Sequence, residues 1–230
     1  MTTVWIALDV PDVGQAEAAV ERLAPHRHFK VGLELFSAAG PEYVRRLVTE
    51  GYSVFLDLKL HDIPRTVERA TARVRDLGVS LLTVHAAGGP AMLEGALKAA
   101  GDGLQVVAVT VLTSLDDATS GRLGLPDPLA FSTRLFDVAR AVGATAFVTS
   151  AEEVAVLAAR APGLRYVVPG IRLGGDARGD QARVADPVTA VRRGATDLVL
   201  GRSVLEADNP PERLVEVAAC IAAEEGGVRV

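Results

Sequence analysis

One cysteine, Cys220, is all the chain contains. An intrachain disulfide is therefore impossible, a zinc site built on several thiolates is excluded, and a reducing cytoplasm is the expected workplace. Basic charge is also short. The formal net charge is −5 with no basic tract, so the chain lacks the cationic footprint that phosphate-backbone binding needs, and a nucleic-acid partner is not expected. Nowhere do about 18 apolar residues follow one another, and the N-terminus has no basic segment leading into a long apolar run. Neither a membrane span nor a secretory signal is expected. No G-x-G-x-x-G follows the first β-rich run, which removes the dinucleotide fingerprint of a doubly wound sheet. Strong internal repeats, low-complexity linkers and composition breaks are lacking too, so 1–230 reads as a single domain.

What remains is a chain of 230 residues, 49% hydrophobic and 23% charged, able to bury a large core. Short β-branched runs alternate with longer Ala, Leu and Arg-rich stretches of helical period. Eight such runs are present: Val4–Leu8, His28–Val31, Val54–Leu58, Leu81–Val84, Val106–Thr110, Ala146–Val148, Tyr166–Val168 and Asp197–Leu200. Helical periods cover Val13–Leu23, Pro41–Glu50, Thr66–Leu77, Ala91–Ala99, Ala130–Val142, Ala151–Ala159 and Pro211–Ala223. Eight β/α units close naturally as a (β/α)8 TIM barrel, and such barrels carry their sites on the loops after the strands. Two of those loops are long and polar: Ser114–Pro128 after the fifth strand, and the glycine-rich Leu173–Asp180 after the seventh.

Charge falls where a barrel should be apolar. Residues two apart in a strand share a face, so Phe55, Asp57 and Lys59 point inward while Val54, Leu56 and Leu58 pack under helices. An ion buried there without a partner would cost several kcal/mol, roughly. Asp57 and Lys59 therefore form either a structural ion pair plugging the barrel or working groups, and Asp62 adds a second carboxylate three residues on. Asp9, Lys30 and His85 stand at the ends of strands one, two and four, converging on the same rim. Independently, Pro169-Gly170-Ile171-Arg172 and Gly201-Arg202-Ser203 follow strands seven and eight, where barrels commonly hold phosphate. Glycine lets backbone donors approach an anion, and arginine offers a bidentate fork. A phosphorylated small molecule is the substrate class these features imply.

The run Asp57-Leu58-Lys59-Leu60-His61-Asp62-Ile63-Pro64-Arg65-Thr66 resembles the D-x-K-x-x-D-I-P-x-T signature of the orotidine 5′-phosphate decarboxylases. Ala7-Leu8-Asp9, Phe29-Lys30-Val31-Gly32, Val109 to Ser114, Pro169 to Arg172, Gly179-Asp180-Gln181 and Gly201-Arg202 extend the resemblance, in the family's order, over nearly the whole chain. Arg65 and Ser203 depart from it, standing where many members have Asn and Pro. The resemblance implies decarboxylation of orotidine 5′-phosphate to uridine 5′-phosphate and carbon dioxide, without metal or cofactor, as the last step of pyrimidine nucleotide synthesis. It also implies a homodimer whose active sites are shared between subunits. Lys59 would give the proton to C6 beside Asp57, with Lys30 linked into the charged array. Asp62, Ile63 and Thr66 would arrive from the other subunit. Asp9 and Lys30 would hold the ribose, Thr113 or Ser114 the pyrimidine, and Gln181, Arg172, Gly201 and Arg202 the phosphate. Two rival readings stand beside this one. A metal-dependent phosphosugar decarboxylase or epimerase would use His61, His85, Asp57 and Asp62 as ligands. A non-catalytic barrel would only bind a nucleotide.

Overall fold

The computed structural model describes residues 1–173 and 185–227. Eight parallel strands form a closed barrel in which each pairs with its sequence neighbour and the last returns to the first. They are β1 (Thr3–Ala7), β2 (His28–Gly32), β3 (Ser53–Leu60), β4 (Leu81–His85), β5 (Gln105–Val109), β6 (Ala146–Val148), β7 (Arg165–Val168) and β8 (Asp197–Leu200). The helices are α1 (Val13–Arg22), α2 (Leu33–Thr49), α3 (Pro64–Arg75), α4 (Pro90–Ala100), α5 (Asp117–Arg122), α6 (Pro128–Ala141), α7 (Glu153–Arg160), α8 (Pro187–Arg192), α9 (Arg202–Leu205) and α10 (Pro210–Gly227). Four of them start on an aspartate. The side chains of Asp12, Asp116, Asp127 and Asp186 each accept a hydrogen bond from the backbone N–H three residues on, satisfying donors the helix leaves open.

All eight expected strands are present, with ends moved by no more than two residues. Corrections fall on the helices and on two strand ends. α2 begins at Leu33, well before Pro41, and is broken at Gly40, whose φ of 68° suits a residue without Cβ. The loop expected over Ser114–Pro128 contains α5. Asp9 lies two residues beyond the end of β1, and Lys30 sits in the middle of β2, paired with Ala7 and Phe55.

Strand alternation sorts the apolar residues into two layers. Trp5, Ala7, Phe55, Leu81, Val107, Ala146, Val167 and Val199 fill the barrel interior, large rings set among small side chains, with Trp5 and Phe55 edge to face at 5.6 Å. The outward set, including Val54 and Leu56, packs beneath the helices. Below the interior layer, at the strands' N-terminal ends, Asp197 is 1% exposed and receives four donors. Trp5 Nε1 reaches Oδ1 at 2.8 Å, Arg165 donates to both oxygens at 2.9 Å, and the Thr196 hydroxyl donates to Oδ2 at 2.7 Å. Arg165 also holds Gln105 at 2.7 Å, tying β5, β7 and β8 together. Asp197→Ala would leave the Arg165 guanidinium and the indole N–H without their acceptor. It is expected to cost about 3–5 kcal/mol, read as a fall in Tm of about 10 °C, with turnover at 25 °C preserved because this cluster lies at the end away from the candidate site.

Candidate active site

At the opposite, C-terminal mouth, four charged side chains of alternating sign form a chain. Lys30 Nζ lies 3.0 Å from Asp9 Oδ1 and 3.5 Å from Asp57 Oδ2, and Lys59 Nζ donates to both Asp57 oxygens at 2.8 Å. Exposure rises outward from this centre: the Lys30 side chain is 9% exposed, Asp57 13%, Lys59 32% and Asp9 58%. Burial alone would push the Asp57 carboxyl up, but Lys30 and Lys59, with hydrogen bonds from Lys59 and Thr83, hold it below the usual carboxylate range. Burial would likewise favour neutral Lys30, and Asp57 and Asp9 override it, keeping the ammonium. Lys30 and Asp57 thus enforce each other's charge at the buried centre of the array. Gly32 makes room for it, since a Cβ there would fall 3.0 Å from Asp9 Oδ1 and 3.2 Å from Lys30 Nζ.

β3 is irregular where it carries these groups. Leu56 pairs with Leu82 and Leu60 with Val84, so the register shifts between them, and Lys59 takes φ 48°, the one positive value at a non-glycine position among the described residues. Simple alternation therefore ends at Asp57. The bulge, not the strand period, aims Lys59 into the mouth. Thr83, fully buried on β4, bridges the two: its hydroxyl donates to Asp57 Oδ1 at 2.9 Å and accepts from the Lys59 backbone N–H at 2.8 Å.

Asp9, Lys30, Asp57 and Lys59 share one cavity of about 540 Å³ with Thr113, Gly170, Arg172, Gly201 and Arg202. Phe55, Val109, Val148, Val167 and Val199 line it with apolar surface, while Leu33, Leu112 and Glu206 stand among its other lining residues. The two glycine-arginine segments are tied to each other. Ser203 Oγ donates to the Ile171 carbonyl at 3.2 Å and accepts from Arg172 Nη1 at 3.4 Å. Sequence reasoning placed Ser203 in the segment after strand eight without giving it a role of its own, and missed Thr83. An inward position on β4, two residues before His85, was the available signal for the latter.

Three expected site residues are not in this cavity. Asp62, Ile63 and Thr66 are exposed, Ile63 to 67%, and Asp62 accepts a 2.7 Å hydrogen bond from the Ile63 backbone N–H. Gln181 lies outside the described residues, as does most of the Leu173–Asp180 segment. Nor do His61, His85, Asp57 and Asp62 gather. The two imidazoles lie 5.3 Å apart, Asp57 is occupied by lysines and Thr83, and no group of three ligating side chains suited to a metal occurs among the described residues. Burial, then the neighbouring His61 and Lys59, lower the His85 pKa and favour its neutral form.

An eight-stranded parallel barrel with interleaved lysines and carboxylates at its carboxyl mouth has the architecture of the (β/α)8 enzymes. Residues 2–217 match the model of the orotidine 5′-phosphate decarboxylase / HUMPS family, and the chain belongs to that family. It is 50% identical over 216 residues to an orotidine 5′-phosphate decarboxylase of Anaeromyxobacter sp. (strain K), covering 93% of this chain and 95% of that protein. A protein of the same name from Alkalilimnicola ehrlichii is 47% identical over 226 residues, covering 96% of each. Among solved structures, the orotidine 5′-phosphate decarboxylase of Lactobacillus acidophilus superposes with a TM-score of 0.86 at 31% identity, covering 96% of this chain and 99% of that one.

Proposed function

We propose that the chain is a carboxy-lyase that converts orotidine 5′-phosphate to uridine 5′-phosphate and carbon dioxide in pyrimidine nucleotide synthesis. The observation that carries this reading is the alternating Asp9, Lys30, Asp57, Lys59 array sharing a cavity with Gly170, Arg172, Gly201 and Arg202. In the proposed reaction the bond between C6 and the carboxylate breaks, its electron pair stays on C6, and carbon dioxide leaves. That pair occupies an sp² orbital which the ring delocalises poorly. An ammonium placed there stabilises the developing charge more than it stabilises the substrate. Lys59 would then pass a proton from Nζ to C6 and recover one from solvent. Asp57 accepts two 2.8 Å hydrogen bonds from the Lys59 ammonium and so fixes it as a donor aimed at C6, while Lys30 anchors Asp57 from the other side. No metal or cofactor enters these steps.

At the sugar, Asp9 and Lys30 would bind the ribose hydroxyls. Thr113 would meet the pyrimidine. Arg172, Gly201 and Arg202, joined by Gln181, would hold the phosphate, whose binding energy far from C6 supports the chemistry at C6. The working form is a homodimer in this proposal, with Asp62, Ile63 and Thr66 completing the site of the other subunit. Their exposure, and that of Leu33 (55%) and Leu112 (36%) in the cavity lining, supports such a surface. A cytoplasmic location fits the lone exposed Cys220, and no described helix is long and apolar enough to cross a membrane.

The test is to add orotidine 5′-phosphate to the purified protein and follow the loss of orotate absorbance with and without a chelator. Loss unaffected by chelator is expected. Loss abolished by chelator would point to a metal-dependent reaction, and uridine 5′-phosphate binding without turnover to a nucleotide sensor. Arg202→Ala is expected to lower kcat/KM about 10- to 100-fold, mostly through KM, as befits a charge-assisted contact to a non-reacting group. An unchanged kcat/KM would remove Arg202 from the phosphate grip.

A further inference from the structure

On β3 three residues, Asp57, Leu58 and Lys59, stand between the pairs Leu56 with Leu82 and Leu60 with Val84, where β4 supplies only Thr83. The Thr83 hydroxyl accepts a hydrogen bond from the Lys59 N–H at this irregular stretch and donates one to Asp57 Oδ1. Its polarity has no freedom. A peptide N–H can only donate and an ionised carboxylate can only accept, so the single hydroxyl proton must point at Asp57. Lys59 holds a left-handed backbone conformation that a side-chain-bearing residue seldom adopts, and such conformations persist where the surroundings enforce them. Thr83 is 0% exposed, so bulk water has no direct access to replace the hydroxyl.

We propose that Thr83 is a positioning residue for the decarboxylation: its hydroxyl fixes both the left-handed peptide that aims Lys59 and the carboxylate of Asp57 that receives the Lys59 ammonium. This rests on the decarboxylase reading above and extends it to a residue that need not touch substrate. The charged and titratable groups around Asp57 are Lys30 from β2 with Asp9 behind it, Lys59 from β3, and His85 from β4 with His61 beside it. Arg172 and Arg202 lie on the same cavity. None of these groups is itself substituted when the hydroxyl is removed.

The experiment compares the wild type with Thr83→Val, which keeps the shape and loses the hydroxyl, and Thr83→Ser, which keeps the hydroxyl. Thr83→Val is expected to lose about 30-fold or more in kcat with KM within about threefold, and Thr83→Ser to stay within about fivefold of wild type. Losing a hydrogen bond to its charged form moves the Asp57 carboxyl upward, so the acidic limb of kcat/KM shifts to higher pH in Thr83→Val and returns in Thr83→Ser. The same shift is expected in a carboxyl ¹³C titration without substrate, with the Asp57 signal identified by its loss in Asp57→Asn. Wild-type turnover in Thr83→Val overturns the proposal. So does equal damage in both variants with an unmoved acidic limb, because that pattern belongs to packing alone. Should the wild type leave orotidine 5′-phosphate untouched, the decarboxylase reading falls, and the ¹³C titration still decides Thr83: an unmoved Asp57 rejects it.

Discussion

Lys59→Ala is expected to lower kcat by about 10⁴-fold or more, because one ammonium performs two tasks that are each worth about 10²-fold or more: stabilising charge at C6 and protonating it. Binding of uridine 5′-phosphate, which lacks the reacting carboxylate, should stay within about tenfold of wild type, since Arg172, Gly201 and Arg202 come from the segments after β7 and β8 and Lys59 from β3. The fold should survive as well. Asp57 loses its 2.8 Å contacts to Lys59 yet retains Lys30 at 3.5 Å and the Thr83 hydroxyl at 2.9 Å. Its carboxyl then moves upward, as the weaker compensation for burial requires. Stability attached to the depressed Asp57 pKa is present above its unfolded-state value and lost as pH falls through the folded value, so the variant should unfold at a less acidic pH than wild type. Single-turnover decay of the orotate absorbance measures the chemical step, and near-normal decay in Lys59→Ala would take this residue out of the mechanism.

The strands were legible because a barrel imposes one rule on all of them: short β-branched runs, here of three to five residues, between helical periods. What escaped notice lacked a local signature. The first half of α2 starts directly after Gly32 with no side-chain cap, and Gly40-Pro41 reads as a start where it is in fact a break. α5 is six residues long, too short for its period to emerge from a polar loop. At the site, Asp57 and Lys59 announced themselves because charge at inward strand positions conflicts with burial. Thr83 did not, since a threonine in a strand is ordinary and its importance comes from the bulge opposite. That bulge is itself invisible in composition: left-handed backbone at a lysine is dictated by its neighbours in space. Ser203 shows the converse case, a residue noted for being unusual whose hydroxyl joins the segments after β7 and β8.

Asp62 raises a different question, because sequence names the residue type but not the subunit whose cavity it serves. In this chain it is exposed, absent from the cavity lining, and bound to its own neighbour's N–H at the start of α3. If it completes the partner's site, Asp62→Ala and Lys59→Ala each inactivate every site of their own homodimers. A mixed dimer would differ. One of its cavities would carry both substitutions and the other neither, so one wild-type site is rebuilt from two inactive chains. Random exchange of equal amounts makes half the dimers mixed, and about one quarter of all sites should then be active. Co-refolding or co-expressing the two variants, followed by the orotate assay, is expected to recover about that fraction from a background near zero. If Asp62 instead serves the cavity of its own chain, each cavity in the mixed dimer holds one lesion and nothing is recovered. The same experiment therefore reads two properties at once: recovery requires both that the chain pairs with itself and that Asp62 crosses between subunits, whereas silence from a mixture shown to contain mixed dimers returns Asp62 to its own barrel.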